Sequence, residues 1–280
     1  MMKQRSLCDL HQIGLLAVLG IGMSGCQCTN EGGSAPGPAD ESQAKPALPP
    51  APPEAFPEKI DLPGAEIEMG TALGSRRWTV MVPGFGITKF PITSERYRQC
   101  IQAGVCEEPK LSIPKCQSTT EVELLKDPQA PVACARVEQA ARYCEWLGAR
   151  LPTAAEWSLA TRGRSVRRFS WGTHPATCQQ HWRGAPADPA TNCDQELTKP
   201  LVGTHPAGAA ASGIQDVLLV EAEYLSVDKT GGWPGCAKGN CLVAGIVPGA
   251  IDSFEGVGNP EGDDAVAVRR AAFRCAWKGG

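Results

Sequence analysis

Apolar residues recur every three or four positions in parts of the chain, and this spacing predicts helices. Glycines follow the first two of these segments at Gly104 and Gly148, where they would end a helix. Thr153 and Glu156 form the Thr-x-x-Glu pattern of a capping box, which places a helix start there. The predicted helices cover residues 94–103, 137–147 and 153–162.

Short apolar runs between turn residues predict strands elsewhere. These runs lie at residues 78–82, 86–90, 217–224, 242–246 and 265–276. The chain also contains 31 glycines and 24 prolines among 280 residues, which helix interiors do not tolerate well. The pattern therefore predicts an α+β fold with much irregular chain. With no internal linker or repeat, residues 59–280 read as one domain.

The first 25 residues read as a signal peptide. Lys3 and Arg5 precede an apolar run at residues 13–23, which is shorter than the roughly 20 residues that span a bilayer. The small residues before Cys26 resemble the lipobox of bacterial lipoproteins, which implies lipidation of Cys26 and anchoring to a membrane. The alternative is an ordinary signal peptide that contains a cysteine.

Residues 26–58 predict a disordered tether. Eight of the 24 prolines fall here, with few large apolar side chains, so the segment cannot bury enough surface to offset its ordering entropy. Extended at about 3.1 Å per residue, it would reach on the order of 90 Å. Gln27 after the lipidated cysteine favours the outer membrane of a bacterial cell envelope.

Charge and cysteine content narrow the function further. The formal net charge of −3 argues against a broad basic surface for nucleic acid, and four histidines argue against a multi-histidine metal enzyme. Thirteen cysteines indicate an oxidising compartment. Ten lie in the predicted domain, and two local disulfides are suggested, Cys178–Cys193 and Cys236–Cys241. Four further cysteines (Cys100, Cys106, Cys116 and Cys134) would form two bonds whose pairing stays open.

Residues 131–172 carry a recognisable order of motifs. Pro-Val is followed by Ala-x-x-Tyr-Cys-x-Trp, Arg-Leu-Pro-Thr-x-x-Glu-Trp, Ala-x-Arg-Gly and Trp-Gly. This order and spacing resemble the formylglycine-generating enzyme family, also called the sulfatase-modifying-factor domain. The resemblance extends over about residues 62–277, because Phe273-Arg274-Cys275-Ala276 is similar to the family's last strand. It implies a C-type-lectin-like fold and a disulfide between Cys144 and Cys275.

The sequence departs from that family where its metal sites are expected. The family's Gly-x-x-Asp-Met-x-Gly-Asn-Val-Trp-Glu-Trp stretch supplies calcium ligands, but here the Gly-Asn pair is Leu219-Val220. Valine offers no oxygen to calcium, so the calcium site is expected to be lost. The carboxylates of Asp216, Glu221 and Glu223 could form another acidic site, but solvated carboxylates on a strand face are the leading interpretation.

The family's enzymes use copper held by two cysteines five positions apart. Cys236 and Cys241 have that spacing after Gly231-Gly232, and soft thiolates suit Cu(I). The residues around them differ from those of the enzymes, and the segment reads as a turn. A structural Cys236–Cys241 disulfide is therefore the leading interpretation, and copper ligation is the alternative.

Two other polar groups are interpreted as ordinary surface. His174 and His181 lie on a predicted loop without a carboxylate to complete an iron site. Four arginines close to the third helix could meet anionic lipid or glycan, but a solvated loop is favoured. They are Arg162, Arg164, Arg167 and Arg168.

Two functions follow from these observations. The first is a lipid-anchored envelope protein whose sulfatase-modifying-factor-like domain is not catalytic and binds a protein, peptide or glycan, or serves a structural role. The second is an active copper-dependent oxidase that converts cysteine to formylglycine in exported proteins, with Cys236 and Cys241 as its catalytic ligands.

Overall fold

The computed structural model describes most of the predicted domain. The described residues are 47–70, 77–109, 126–132, 134–174, 177–181, 200–217, 222–226, 243–245, 257–258 and 271–279. Within them, no helix is both long enough and apolar enough to cross a membrane.

The three predicted helices are confirmed. They are α1 (Ser94–Gln102), α2 (Val137–Trp146) and α3 (Ala154–Arg162). The capping box of α3 forms as expected: the Thr153 hydroxyl accepts the Glu156 N–H at 3.1 Å, and the Glu156 carboxylate accepts the Thr153 N–H at 2.8 Å. Gly163 ends this helix with φ +80°, a conformation that glycine adopts without strain.

Nine short strands accompany the helices in the described part of the chain. They are β1 (Lys59–Leu62), β2 (Ala65–Met69), β3 (Trp78–Val82), β4 (Phe85–Thr88), β5 (Ala222–Tyr224), β6 (Val243–Gly245), β7 (Val257–Gly258), β8 (Ala271–Phe273) and β9 (Ala276–Lys278). β1, β4 and β9 form one antiparallel sheet, and β2 and β3 form a hairpin. The remaining strands form a four-stranded sheet in the order β7-β6-β5-β8, in which β5 and β8 are parallel.

The single strand predicted at residues 265–276 is corrected, because the chain passes from one sheet to another within this segment. β8 pairs with β5, whereas β9 pairs with β4. The two residues between them, Arg274 and Cys275, are fully buried and carry the chain from one sheet to the other. The segment is therefore two strands with a crossing between them.

The buried side chains form two main clusters. One packs β2, β3 and β4 against α3 and contains Ile67, Phe85 and Trp157. The other packs α1 against α2 and contains Tyr97, Tyr143, Trp146 and Phe273, whose rings meet at centroid distances of 5.6–6.3 Å. The fold is thus α+β, as predicted, with each helix supported by a sheet or by its neighbouring helix.

The N-terminal boundary of the domain lies earlier than predicted. The compact unit starts at Ala47, and a 3-10 turn at Pro53–Ala55 packs on α1. Ala55 is fully buried, and Leu48 and Ala51 pack against the same aromatic cluster. The prediction of a disordered tether up to residue 58 is therefore wrong for its last part, because small apolar side chains between the prolines bury on the domain.

Two disulfides are described with both partners. Cys144 of α2 is bonded to Cys275, with a Cα–Cα distance of 5.3 Å, which is the pairing that the family resemblance implies. Cys100 is bonded to Cys106, with a Cα–Cα distance of 5.2 Å, and this bond closes the chain just after α1. Cys134 and Cys178 are also disulfide-bonded.

Candidate functional site

A buried ion pair lies where the parallel strands β5 and β8 meet. Glu223 is the central residue of β5, and Arg274 directly follows β8. Both are fully buried. Arg274 donates from Nε to Glu223 Oε2 at 2.9 Å and from Nη2 to Glu223 Oε1 at 3.1 Å. The planar guanidinium therefore engages both carboxylate oxygens in a forked geometry.

The same guanidinium joins separate parts of the backbone. It donates to the carbonyl oxygens of Lys89 at 2.7 Å, Gln215 at 2.6 Å and Asp216 at 2.9 Å. Lys89 follows β4, whereas Gln215 and Asp216 precede β5. Arg274 thus holds the end of one sheet and the loop leading into another at a single buried point, and we call this set of contacts the Arg274 network.

Trp157 adds the third helix to the network. Its indole Nε1 donates to Glu223 Oε2 at 2.8 Å, and its side chain is buried in the α3 cluster. The family motif that contains Trp157 therefore has a polar role as well as an apolar one. Both oxygens of Glu223 are satisfied by protein donors, which is what a buried carboxylate requires.

Asp216 is the strained member of this region. Its φ is +53°, the only positive value among the described non-glycine residues. The carboxyl Oδ2 accepts the Gly203 N–H at 2.7 Å, whereas Oδ1 is buried without a hydrogen-bond partner. Burial raises the pKa of this carboxyl above its usual value, while the Gly203 hydrogen bond, Arg274 and His205 oppose the rise.

The interpretation of Asp216 and Glu223 as solvated carboxylates is wrong. Glu223 is 0% exposed and Asp216 is 5% exposed. The physical reason is Arg274: a cation fixed in the core by neighbouring carbonyls makes the interior favourable for an ionised Glu223. The third residue of that proposed group, Glu221, lies outside the described residues.

The described residues do not fit the calcium ion that the family resemblance implies. Both Glu223 oxygens and the Gln215 and Asp216 carbonyls already accept hydrogen bonds from Arg274 or Trp157. Of the carboxylate oxygens of Asp216 and Glu223, only Asp216 Oδ1 is without a hydrogen-bond partner, where calcium needs six to eight oxygens, and the guanidinium would repel a cation. In the described part of the chain no group of three or more His, Cys, Asp or Glu residues could hold a metal ion.

Several predicted site residues lie outside the described residues. They are Cys26, Cys193, Cys236 and Cys241. The alternatives of a disulfide and of copper ligation for Cys236 and Cys241 both stay predictions. Cys178, the predicted partner of Cys193, is described and is disulfide-bonded.

Two surface predictions are corrected. His181 is buried, because the segment 177–181 approaches Gly208 so closely that a side chain there would overlap the Gln180 carbonyl. Arg162 is buried in α3, where it donates to Ser158 Oγ at 3.0 Å and to the Gly70 carbonyl at 3.3 Å. The proposed basic cluster therefore loses one of its four arginines to the core.

A surface groove of about 370 Å³ lies beside the first turns of α2. It is bordered by the Cys100–Cys106 disulfide and by charged residues of both signs, with Glu107 and Glu138 beside Arg136 and Arg142. Gln139 forms its base, donating to the carbonyls of Glu107 and Glu108. Charges of both signs do not select one ligand class.

The chain belongs to the family described as the sulfatase-modifying factor enzyme 1-like domain. The family model matches residues 44–218, which is more than half of the chain. Its start agrees with the packed unit that begins at Ala47. The resemblance inferred from residues 131–172 is therefore confirmed, and with it the fold of the family.

Two curated relatives are enzymes by name. The chain is 28% identical over 181 residues to hercynine oxygenase of Mycolicibacterium smegmatis, covering 56% of this chain and 40% of that protein. It is 36% identical over 91 residues to the formylglycine-generating enzyme of Bos taurus, covering 31% of this chain and 23% of that protein. The chain thus spans well under two thirds of either relative.

Solved structures give a weaker likeness. PvdO from Pseudomonas aeruginosa is 17% identical with a TM-score of 0.49, covering 83% of this chain and all of that one. CarF is 13% identical with a TM-score of 0.48, covering 81% of this chain and all of that one.

The Arg274 network is the feature that sequence reasoning missed. In the sequence, Arg274 stands out only as part of the final family motif. A signal was present, because an arginine inside the apolar run Ala271–Trp277 needs a buried acidic partner. The sequence offered Asp216, Glu221 and Glu223 as candidates, and only the parallel pairing of β5 with β8 identifies Glu223 as the partner.

Proposed function

We propose that this protein is a lipid-anchored module of a bacterial cell envelope whose sulfatase-modifying-factor domain acts as a binding or structural scaffold rather than as an oxidase. Cys26 carries the lipid in this proposal, and the outer membrane is favoured. The ligand is a protein, a peptide or a glycan, presented to the loops of the domain.

The buried state of Glu223 is the observation that supports the scaffold role best. The stretch that supplies calcium ligands in the family here directs its carboxylate to Arg274 and Trp157. The neighbouring Gly-Asn pair is replaced by Leu219-Val220. A retained fold together with the loss of that Gly-Asn pair supports a scaffold whose metal site has lost its function.

The oxidase is a second candidate, for two reasons. The relatives named above are a hercynine oxygenase and a formylglycine-generating enzyme. The Cys236 and Cys241 spacing also matches the copper-binding pair implied by the family resemblance. In this case the two thiolates would hold Cu(I), and copper would supply the oxygen chemistry.

An activity assay separates the two candidates. The copper-treated full chain is incubated with cysteine-containing peptides under oxygen, and conversion of the thiol to an aldehyde is followed by mass spectrometry. The scaffold role predicts no conversion above that of the Cys236→Ser, Cys241→Ser double variant. Conversion that this double variant abolishes would establish the oxidase instead.

Anchoring is tested separately. Wild type and Cys26→Ser are expressed in a bacterial host and fractionated, and acylation is followed with a labelled fatty acid. The proposal predicts labelled wild type in the outer-membrane fraction and unlabelled Cys26→Ser released from it. Equal distribution of the two proteins without labelling would contradict the anchor.

A further inference from the structure

The proline-rich segment before β1 is packed on the domain. We call residues 47–56 the arm; it contains four prolines within ten residues. Pro52 has φ −70° and ψ 153°, and Phe56 has φ −72° and ψ 121°, on either side of the single 3-10 turn. These are values of extended, polyproline-like backbone, and they flank the turn at Pro53–Ala55.

The surface that receives the arm combines an arginine with an aromatic cluster. Arg96 of α1 donates from Nη1 to the carbonyl oxygens of Glu54 at 3.0 Å and of Phe56 at 2.9 Å. Ala55, between them, is fully buried in the cluster that contains Tyr97 and Tyr143. We call this surface, formed by Arg96 and the aromatic cluster, the arm groove.

This arrangement is a known mode of peptide recognition. Proline-rich segments bind aromatic-lined grooves because their backbone is already extended and loses little entropy on binding. Here the hydrogen bonds from Arg96 go to main-chain carbonyls, one inside the 3-10 turn and one directly after it, so they recognise the backbone of the turn rather than particular side chains. The arm groove has therefore the features of a binding site for a proline-rich segment.

The arm is attached through few buried groups. Ala55 is its only fully buried residue, Leu48 and Ala51 are half-buried, and Phe56 is 45% exposed. Only Pro57 lies between the arm and Glu58. At Glu58 the carbonyl accepts the Lys89 N–H at 2.8 Å, and the carboxylate pairs with Lys89 Nζ at 2.9 Å. The chain is thus fixed at Glu58, and a one-residue hinge precedes it.

We propose that the arm groove is a binding site for a proline-rich segment with a 3-10 turn, which the arm of the same chain occupies in cis and the arm of a second copy of this chain can occupy in trans. Short hinges favour exchange of identical segments between copies. The segment that fits the groove is supplied by the chain itself, so a second copy is the partner with matched chemistry. This inference rests on the contacts of the arm alone and is independent of catalysis and anchoring.

Two full-length variants test the exchange by complementation. Ala55→Asp places a charge on the arm and leaves the groove intact, whereas Arg96→Ala impairs the groove and leaves the arm intact. Each variant alone is expected to sediment as a monomer, and an equimolar mixture is expected to form a dimer with one functional arm in one functional groove. A mixture that stays monomeric at high protein concentration overturns the proposal.

A peptide titration gives the second measurement. A fluorescently labelled peptide of residues 47–58 is expected to bind Ala55→Asp at least about tenfold more tightly than wild type, whose groove is filled by an arm at high effective concentration. The same peptide with aspartate at position 55 should not bind. Equal binding of the peptide to wild type and to Ala55→Asp overturns the proposal.

A milder variant covers the case in which Ala55→Asp fails to fold. Replacing the prolines at positions 49, 50, 52 and 53 by serine loosens the arm by increasing the entropy of its free state, without burying a charge. This variant is expected to bind the peptide more tightly than wild type does, and binding no tighter than wild type contradicts the proposal. Circular dichroism in the near ultraviolet identifies which variants keep the native aromatic packing.

Discussion

Replacing Arg274 by methionine is expected to destabilise the domain strongly. The side chain is fully buried and holds the Glu223 carboxylate together with the Lys89, Gln215 and Asp216 carbonyls. Removing one partner of a buried pair leaves an uncompensated charge, which costs about 3–5 kcal/mol of unfolding free energy. In a domain of this size, about 2–4 °C per kcal/mol places the loss of Tm at roughly 6–20 °C.

A double-mutant cycle shows that the loss comes from the charge. Glu223→Gln combined with Arg274→Met removes the buried negative charge, so the double variant is expected to be more stable than Arg274→Met alone. Urea unfolding of wild type, the two single variants and the double variant, with disulfides intact, measures these differences in unfolding free energy. Arg142→Met, which breaks the exposed pair with Glu145 at 3.2 Å, is the matched control and should change stability by at most about 1 kcal/mol. A loss below about 1 kcal/mol for Arg274→Met would refute the reasoning.

Three further predictions follow from the contacts described. Burial raises the pKa of the Asp216 carboxyl in the folded state, so the stabilising contribution of this carboxyl is present in acid and is lost as the pH rises through the folded pKa. Asp216→Asn should therefore be more stable than wild type at pH 7 in urea titrations. The difference between the two proteins should shrink below about pH 4. Cys144→Ser with Cys275→Ser opens a bond across 131 positions, and calorimetry should show a loss of about 4–5 kcal/mol in the chain-entropy model. Thr153→Ala removes the cap of α3 and should cost about 1 kcal/mol in urea, whereas Thr153→Ser should be close to wild type. The pKa argument would be contradicted if Asp216→Asn were less stable than wild type at pH 7. The disulfide and capping arguments would be contradicted if the double cysteine variant or Thr153→Ala had the stability of wild type.

The helices could be predicted because their signals are local. Thr153 and Glu156 cap α3 through neighbouring backbone groups, and Gly163 ends it with a conformation that only glycine adopts easily. β2 could also have been found, since Ala65, Ile67 and Met69 are buried while Glu66 and Glu68 between them face outward. That strict alternation is a strand signal of a different kind from a continuous apolar run.

The candidate site could not be predicted because it depends on long-range pairing. Arg274 and Glu223 are 51 positions apart, and they meet only because β5 and β8 lie side by side. Solvated carboxylates were the reasonable interpretation of Glu223 without that pairing, since carboxylates are rarely buried unless paired. The packing of the arm could not be predicted for a related reason: proline content indicates extended chain, but it does not reveal that Ala55 finds a buried position on α1.

The redox state and copper affinity of Cys236 and Cys241 test the scaffold role most directly. The full chain is alkylated before and after mild reduction, and the cysteine peptides are mapped by mass spectrometry alongside a Cu(I) titration. The proposed scaffold predicts that the two cysteines are bonded to each other, resist mild reduction and take up no copper. Free or easily reduced thiols that bind one Cu(I) tightly would contradict it and would favour the oxidase.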